Sequence, residues 1–159
     1  MALYFTNITG ETVYVAFAWY DPSCGTANQN FRKQGWWALD SSPQMFKAWD
    51  VDLHQVNRYA YFYAETANDQ VNWSGNGNAW LSVNPDATFG LCAFADPGDD
   101  LWVDFIQLDF NWAQTGWDMV VVFWYFDGKF RADFQQHKGR GPEGDDITAG
   151  PIAPTIFGT

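Results

Sequence analysis

The stretch that most constrains this chain is Arg58–Glu65, read as Arg-Tyr-Ala-Tyr-Phe-Tyr-Ala-Glu. Tyr59, Tyr61 and Tyr63 fall on one face of an extended strand, and Ala60, Phe62 and Ala64 fall on the other. Neither face is polar. Such a strand needs protein on one side and something other than bulk water on the other, so it is a candidate central strand. Its tyrosine rings are expected to pack while their hydroxyls reach the rim, because a buried phenol needs a partner.

The same two-residue period recurs along the chain. Leu3–Asn7 reads as a first strand. In Thr12–Tyr20, Val13, Val15, Phe17 and Trp19 share one face, and Thr12, Tyr14, Ala16, Ala18 and Tyr20 the other. Phe31–Leu39 holds Gly35-Trp36-Trp37, whose adjacent tryptophans must point to opposite faces of a strand. Gln44–Val51 sets Met45, Lys47 and Trp49 against Phe46, Ala48 and Asp50. Thr88–Phe94 and Leu101–Asn111 are further strands. Met119–Phe126 is continuously apolar, the pattern of a strand buried on both faces. Asp127-Gly128 follows it, a two-residue hairpin turn, and Lys129–Phe134 alternates with Phe130, Ala132 and Phe134 inward.

Aromatic residues make up 19% of the chain, and no segment has the apolar spacing of an amphipathic helix. The expected class is all-β: an antiparallel β-sandwich with a C-terminal β-hairpin extension and an extended tail. With 159 residues there is room for one domain and a real core. Residues 1–98 read as a small β domain that ends at the acidic turn Asp96–Asp100. Residues 99–134 extend the same sandwich, and 135–159 form a loop and an apolar tail. Ile147–Thr159 carries no charge and contains Ile147, Ile152, Ile156 and Phe157. It is expected to pack along its own sheet edge or to add a strand to a neighbour.

A net charge of −11 opposes binding to nucleic acid and to anionic membranes. No apolar run approaches a membrane span, and the first residues enter strand pattern directly rather than forming a secretion signal. The expectation is a soluble chain without membrane insertion; export by another route is compatible with these features. Two cysteines, Cys24 and Cys92, are too few for a disulfide framework; they could pair across two sheets, but their distance cannot be read from sequence.

No catalytic motif emerges. His54 and His137 lie in polar stretches without a nucleophile motif nearby, and there is neither a nucleophile elbow nor a phosphate loop. The chain is therefore expected to be non-enzymatic and to need no cofactor. Asp96, Asp99, Asp100 and Asp104 are oxygen donors of the kind calcium takes, and Glu143, Asp145 and Asp146 form a second acidic group, but neither matches a calcium loop. A solvated acidic turn is the simpler reading. Trp73 and Trp80 flank a Gly/Asn tip with Asn72, Asn76 and Asn78. Sugar rings stack on exposed indoles while amides bind hydroxyls, so this group is a candidate carbohydrate site; the bland alternative is that the tryptophans anchor the core.

Taken in order, Asn7-x-Thr9, Val13-x-Val15-Ala16-x-Ala18-x-Tyr20, Gly35-Trp36-Trp37, Tyr59-x-Tyr61-x-Tyr63-Ala64, Trp73-x-Gly75 and Phe89-x-x-Cys92 resemble the domain of unknown function family numbered 1036. The resemblance spans about Leu3–Phe94. It implies a small β domain and no catalytic residues. Family members usually carry cysteines where this chain has Thr6 and the Pro43–Met45 region, so that family disulfide is absent; Cys92 matches the pattern and Cys24 does not.

Two function classes follow. The first is a structural protein that self-associates by strand addition or tail docking through Ile147, Ile152, Ile156 and Phe157, giving a homo-oligomer or filament. The second is a carbohydrate-binding module whose partner is a glycan.

Overall fold

The computed structural model describes residues 2–49, 59–67, 71–110, 117–137, 147–148 and 156–157. Arg58, His54, Ile152, Glu143, Asp145 and Asp146 lie outside the described residues, as do Asp50, Val51 and Asn111. Among the described residues, secondary structure is strand apart from two short 3-10 turns at Pro22–Cys24 and Thr26–Asn28. The all-β sandwich is what the period-two patterning predicts.

The strands form three layers. The front sheet contains β1 (Leu3–Ile8), β4 (Ser42–Trp49), β11 (Asp118–Phe126), β12 (Lys129–His137), β13 (Ile147–Thr148) and β14 (Ile156–Phe157). Its order is β13-β12-β11-β1-β4, with β14 also on β12. The middle sheet contains β2 (Val13–Tyr20), β3 (Phe31–Leu39), β5 (Tyr59–Thr66), β6 (Asn72–Trp73), β8 (Phe89–Cys92) and β10 (Ile106–Asp109). Its order is β10-β5-β2-β3-β8, with β6 also on β5. A two-stranded ribbon, β7 (Trp80–Val83) with β9 (Leu101–Asp104), forms the third layer. Pairing is antiparallel except between β1 and β11, which run parallel from Leu3↔Met119 to Ile8↔Trp124.

The main core lies between the front and middle sheets. Phe5 stands at its centre, with Phe17, Phe62 and Phe123 at ring-centroid distances of 5.8, 5.7 and 6.1 Å. Pairs of this kind each contribute about 0.5–1.5 kcal/mol beyond area burial. Val13, Val15 and Phe17 enter this core together with Trp19, as their shared face requires, but Tyr20, expected on the opposite face at the end of the strand, packs against it too. Met119, Val121 and Phe123 enter it from β11, while Val120 and Val122 are buried on the opposite face of the same strand. The continuous apolar run is therefore buried on both sides. Asp127 and Gly128 close its hairpin with positive φ at both positions, 52° and 76°. That is the geometry a type I′ turn demands.

The second core lies between the middle sheet and the ribbon. Ala16, Ala18, Tyr63, Leu81, Val83, Phe89 and Val103 are buried there. One sequence expectation holds and two change. First, β5 is interior, with β2 on one edge and β10 and β6 on the other, and its tyrosine face is covered by this chain's own ribbon. Tyr61 and Tyr63 belong to the second core, and Ala60, Phe62 and Ala64 to the first.

Second, Leu101–Asn111 is not one strand. It breaks at Phe105, which is 1% exposed and anchors the second core. The Phe105 N–H donates to the Ala79 carbonyl at 2.8 Å instead of to a sheet partner. The chain thus passes from ribbon to middle sheet at that residue. Third, Met45 and Trp49 do not share a face. The register slips so that Leu3 pairs with Trp49 but Tyr4 with Lys47, leaving Ala48 as the extra residue. A bulge of this kind reverses the alternation beyond it, so Trp49 joins the main core while Met45 packs on the outer face of the front sheet.

The adjacent tryptophans behave as a strand requires. Trp37 packs on Phe5, Phe17 and Phe46 in the first core, and Trp36 on Tyr63 and Phe89 in the second. Cys24 and Cys92 are joined by a disulfide with Cα atoms 5.5 Å apart, which ties the Pro22–Cys24 turn to the end of β8.

Candidate ligand cleft

The structure divides the proposed tryptophan–asparagine group. Trp73 is fully buried, 4.9 Å from the Phe123 ring and 6.2 Å from that of Phe130. It is a core residue and is unavailable to a sugar, which corrects its assignment as a surface platform. The reason is pairing: Trp73 sits opposite Ala64 in β5, whose side chain faces the main core, and the small alanine leaves room for the indole. Trp80, by contrast, is 52% exposed. Asn72, Asn76 and Asn78 are all exposed, but only Asn78 joins Trp80 at a cleft.

That cleft has a volume of about 190 Å³ and opens beside the ribbon. Its floor is Ala18, Leu81 and Ala93, all buried. Phe31, Tyr61, Asn28 and Ala79 form half-buried walls. Trp80, Phe94, Gln29 and Asn78 form the exposed rim. No lining side chain is charged. Phe31 and Tyr61 meet edge to face at 5.6 Å, which fixes the wall they share.

Each wall is held from behind. On the ribbon side, the Asp104 carboxylate accepts hydrogen bonds from the N–H groups of Gly77 and Ala79, the latter at 3.1 Å. Gly75 N–H donates to the Asp104 carbonyl at 2.9 Å. A Cβ on Gly75 would lie 2.4 Å from the Phe105 carbonyl oxygen, so only glycine permits this approach. Asp104 therefore organises the loop carrying Asn78. Asp96 accepts from the N–H of Gly98 at 2.9 Å. Asp96, Asp99, Asp100 and Asp104 are not brought together as a ligand set, and among the described residues no three acidic, histidine or cysteine side chains are grouped to hold a metal.

On the opposite side, the disulfide brings the loop bearing Asn28 and Gln29 to the end of β8. Asn28 then accepts from the N–H of Phe94 at 2.8 Å. Asp21 begins this loop. Its carboxylate accepts from Arg32 Nε at 2.8 Å and from the Ser23 N–H and hydroxyl at 3.0 and 2.6 Å. The hydrogen bonds from Arg32 and Ser23 lower its pKa to about 2.

Beneath the ribbon lies the most unusual polar group in the fold. Lys33 is fully buried, and its Nζ donates to the Ser82 carbonyl at 2.7 Å and to the Ser82 hydroxyl at 2.9 Å. Burial lowers its pKa to about 8, against the raising effect of Asp96 and Asp100. This contact fastens β7 to the middle sheet next to the cleft floor at Leu81.

Sequence reasoning found Trp80 and Asn78 and missed Phe31, Tyr61, Phe94 and Gln29. The signal for Gln29 and Phe94 was the cysteine pair: joining Cys24 to Cys92 sets Asn28 and Gln29 beside Ala93 and Phe94. No protein-family model, no curated protein and no solved structure matches the chain. Among the described residues, no helix is long and apolar enough to cross a membrane.

Proposed function

We propose that this protein is a non-catalytic binding module that receives a single carbohydrate ring in the cleft beside the ribbon. The reading rests on one observation: exposed and half-buried aromatic rings (Trp80, Phe94, Phe31, Tyr61) surround a ring-sized, uncharged cleft edged by Gln29 and Asn78. Aromatic faces offer apolar stacking to the C–H side of a sugar, and the amides offer both donors and acceptors to its hydroxyls. Trp80→Ala is expected to abolish binding on a glycan array while leaving the urea midpoint unchanged. An intact protein that captures no glycan sinks the reading. The Cys24–Cys92 bond suits an oxidising compartment, where glycans are exposed.

A second reading, self-association, draws on the tail. Ile147–Thr148 and Ile156–Phe157 pair antiparallel with β12, at Gln136↔Thr148 and Ala132↔Ile156. A short, edge-added strand of this kind is also the unit that a neighbouring copy can exchange. Its other support, the two-sided aromatic strand β5, is weakened because the ribbon covers the tyrosine face. Deleting residues 147–159 should reduce any oligomer seen by light scattering; a monomer before and after deletion removes this reading. The kinship with the family numbered 1036 is likewise proposed on the ordered motifs between Leu3 and Phe94, and it would supply no catalytic residue.

A further inference from the structure

We infer that the cleft selects a sugar bearing an acetamido group, an N-acetylhexosamine, and that the acetyl methyl is the part seated on its floor. The inference rests on the carbohydrate reading and refines it. The deepest lining residues, Ala18, Leu81 and Ala93, offer only apolar side chains. The one polar side chain on the wall above them besides the phenol, Asn28, is already engaged: its Oδ1 accepts from the Phe94 N–H and its Nδ2 donates to the Cys24 carbonyl at 3.4 Å.

An ordinary hexose presents a hydroxyl on almost every edge of its ring. Whichever edge entered first would press a hydroxyl against a floor that offers it no side-chain partner, an unfavourable outcome. A methyl group meets the same floor without penalty.

The polar half of an acetamido group also finds partners higher in the cleft. The Tyr61 hydroxyl oxygen accepts from Gln107 Nε2 at 3.1 Å, which leaves its own O–H to donate to an acetyl carbonyl. Asn78 donates to Asn76 Oδ1 at 3.4 Å, which leaves its Oδ1 to accept from an amide N–H. The lining carries no charge, so the ligand should be neutral. That opposes an amino sugar, whose ammonium would be desolvated without a counter-ion.

Saturation-transfer NMR on the full-length protein tests this with four probes: the methyl glycosides of N-acetylglucosamine, N-acetylgalactosamine, glucose and galactose. At least one N-acetyl probe should bind about tenfold or more tightly than its parent hexose, with its acetyl methyl as the most strongly saturated signal. Tyr61→Phe should reduce that preference at least about threefold. Ala93→Val should remove N-acetyl selectivity while the Trp80 indole still responds to sugar. Parent hexoses binding as tightly as their N-acetyl derivatives, with the Trp80 indole shifted, would overturn the acetamido inference and leave the carbohydrate reading standing. No response of the indole to any of the four would overturn both.

Discussion

The two faces of the middle sheet differ in how they are closed. One face meets a full sheet, and the space between is filled by interlocking aromatic rings around Phe5, Phe62 and Phe123. The other meets only two short strands, β7 and β9. Its core mixes apolar residues with a buried amine at Lys33 and a buried carboxylate at Asp104. A two-stranded ribbon has too little apolar area to hold itself down. Polar clamps do part of that work here, and the ribbon's edge leaves a cleft that the broader sheet would have covered. The first face is closed by ring packing and the second keeps an open cleft.

Substituting the two tryptophans that the sequence treated alike should produce the largest divergence. Trp73→Ala empties a site in the first core and should cost about 3–5 kcal/mol of stability in urea unfolding. The surviving folded fraction should still bind glycan. Trp80→Ala should change stability by no more than about 0.5 kcal/mol and remove binding. If both variants behave alike, the division between the faces is wrong.

Next in size is the disulfide. Replacing Cys24 and Cys92 together with alanine should cost about 3 kcal/mol. Hydrogen exchange should quicken at Asn28 and Phe94 on the cleft side well before it does at Phe5 or Phe123. Uniform loosening would mean that the bond supports the whole fold rather than the cleft.

Lys33 gives a pH signature confined to the ribbon face. Unfolded, its amine holds a proton to about 10.5; folded, it releases the proton at about 8. Between these values the unfolded state binds more protons, so stability rises with pH. Below pH 8 the cost of the buried ammonium is fully present. The unfolding free energy should therefore increase by about 1.5 kcal/mol from pH 8 to 9.5, and by about 3 kcal/mol if extended to full deprotonation. Lys33→Met should flatten that rise. A wild-type curve that is already flat would contradict the buried charge.

The smallest effect concerns Asp21, whose folded pKa lies near 2 against 3.8 for the free side chain. Its stabilisation is present above about pH 4 and is lost as pH falls through 2. For a partly exposed pair with Arg32 the change should stay below about 1 kcal/mol. Asp21→Asn should converge on the stability of the wild type as pH falls below 2. A difference that persists there would point to a cause other than ionisation.

Much of this architecture is legible in the sequence, because side-chain period alone places Phe17, Phe62 and Phe123 on buried faces and Asp127-Gly128 at a hairpin. The ribbon is not legible. Leu101–Asn111 keeps a strand pattern across Phe105, and only the tertiary partner Ala79 shows that the chain changes layers there. Local sequence also cannot distinguish Trp73 from Trp80: both flank the same Gly/Asn loop, but Trp73 pairs with Ala64 over the main core, while Trp80 pairs with Asp104 in the ribbon and stays exposed. The cleft is lined by residues as far apart as Ala18 and Phe94, which the β2-β3-β8 pairing and a disulfide spanning 68 positions set around one opening. Long-range closure of that kind leaves no periodic trace.

Backbone amide and indole chemical shifts, followed while methyl N-acetylglucosaminide or its galacto counterpart is added to the full chain, test the contrast between the faces most directly. The shifts should move at Ala18, Tyr61, Asn78, Trp80, Ala93 and Phe94 and stay fixed at Phe5, Phe62 and Phe123. Movement centred on the sandwich face, or none at the cleft for either sugar, would contradict the assignment of function to the ribbon side.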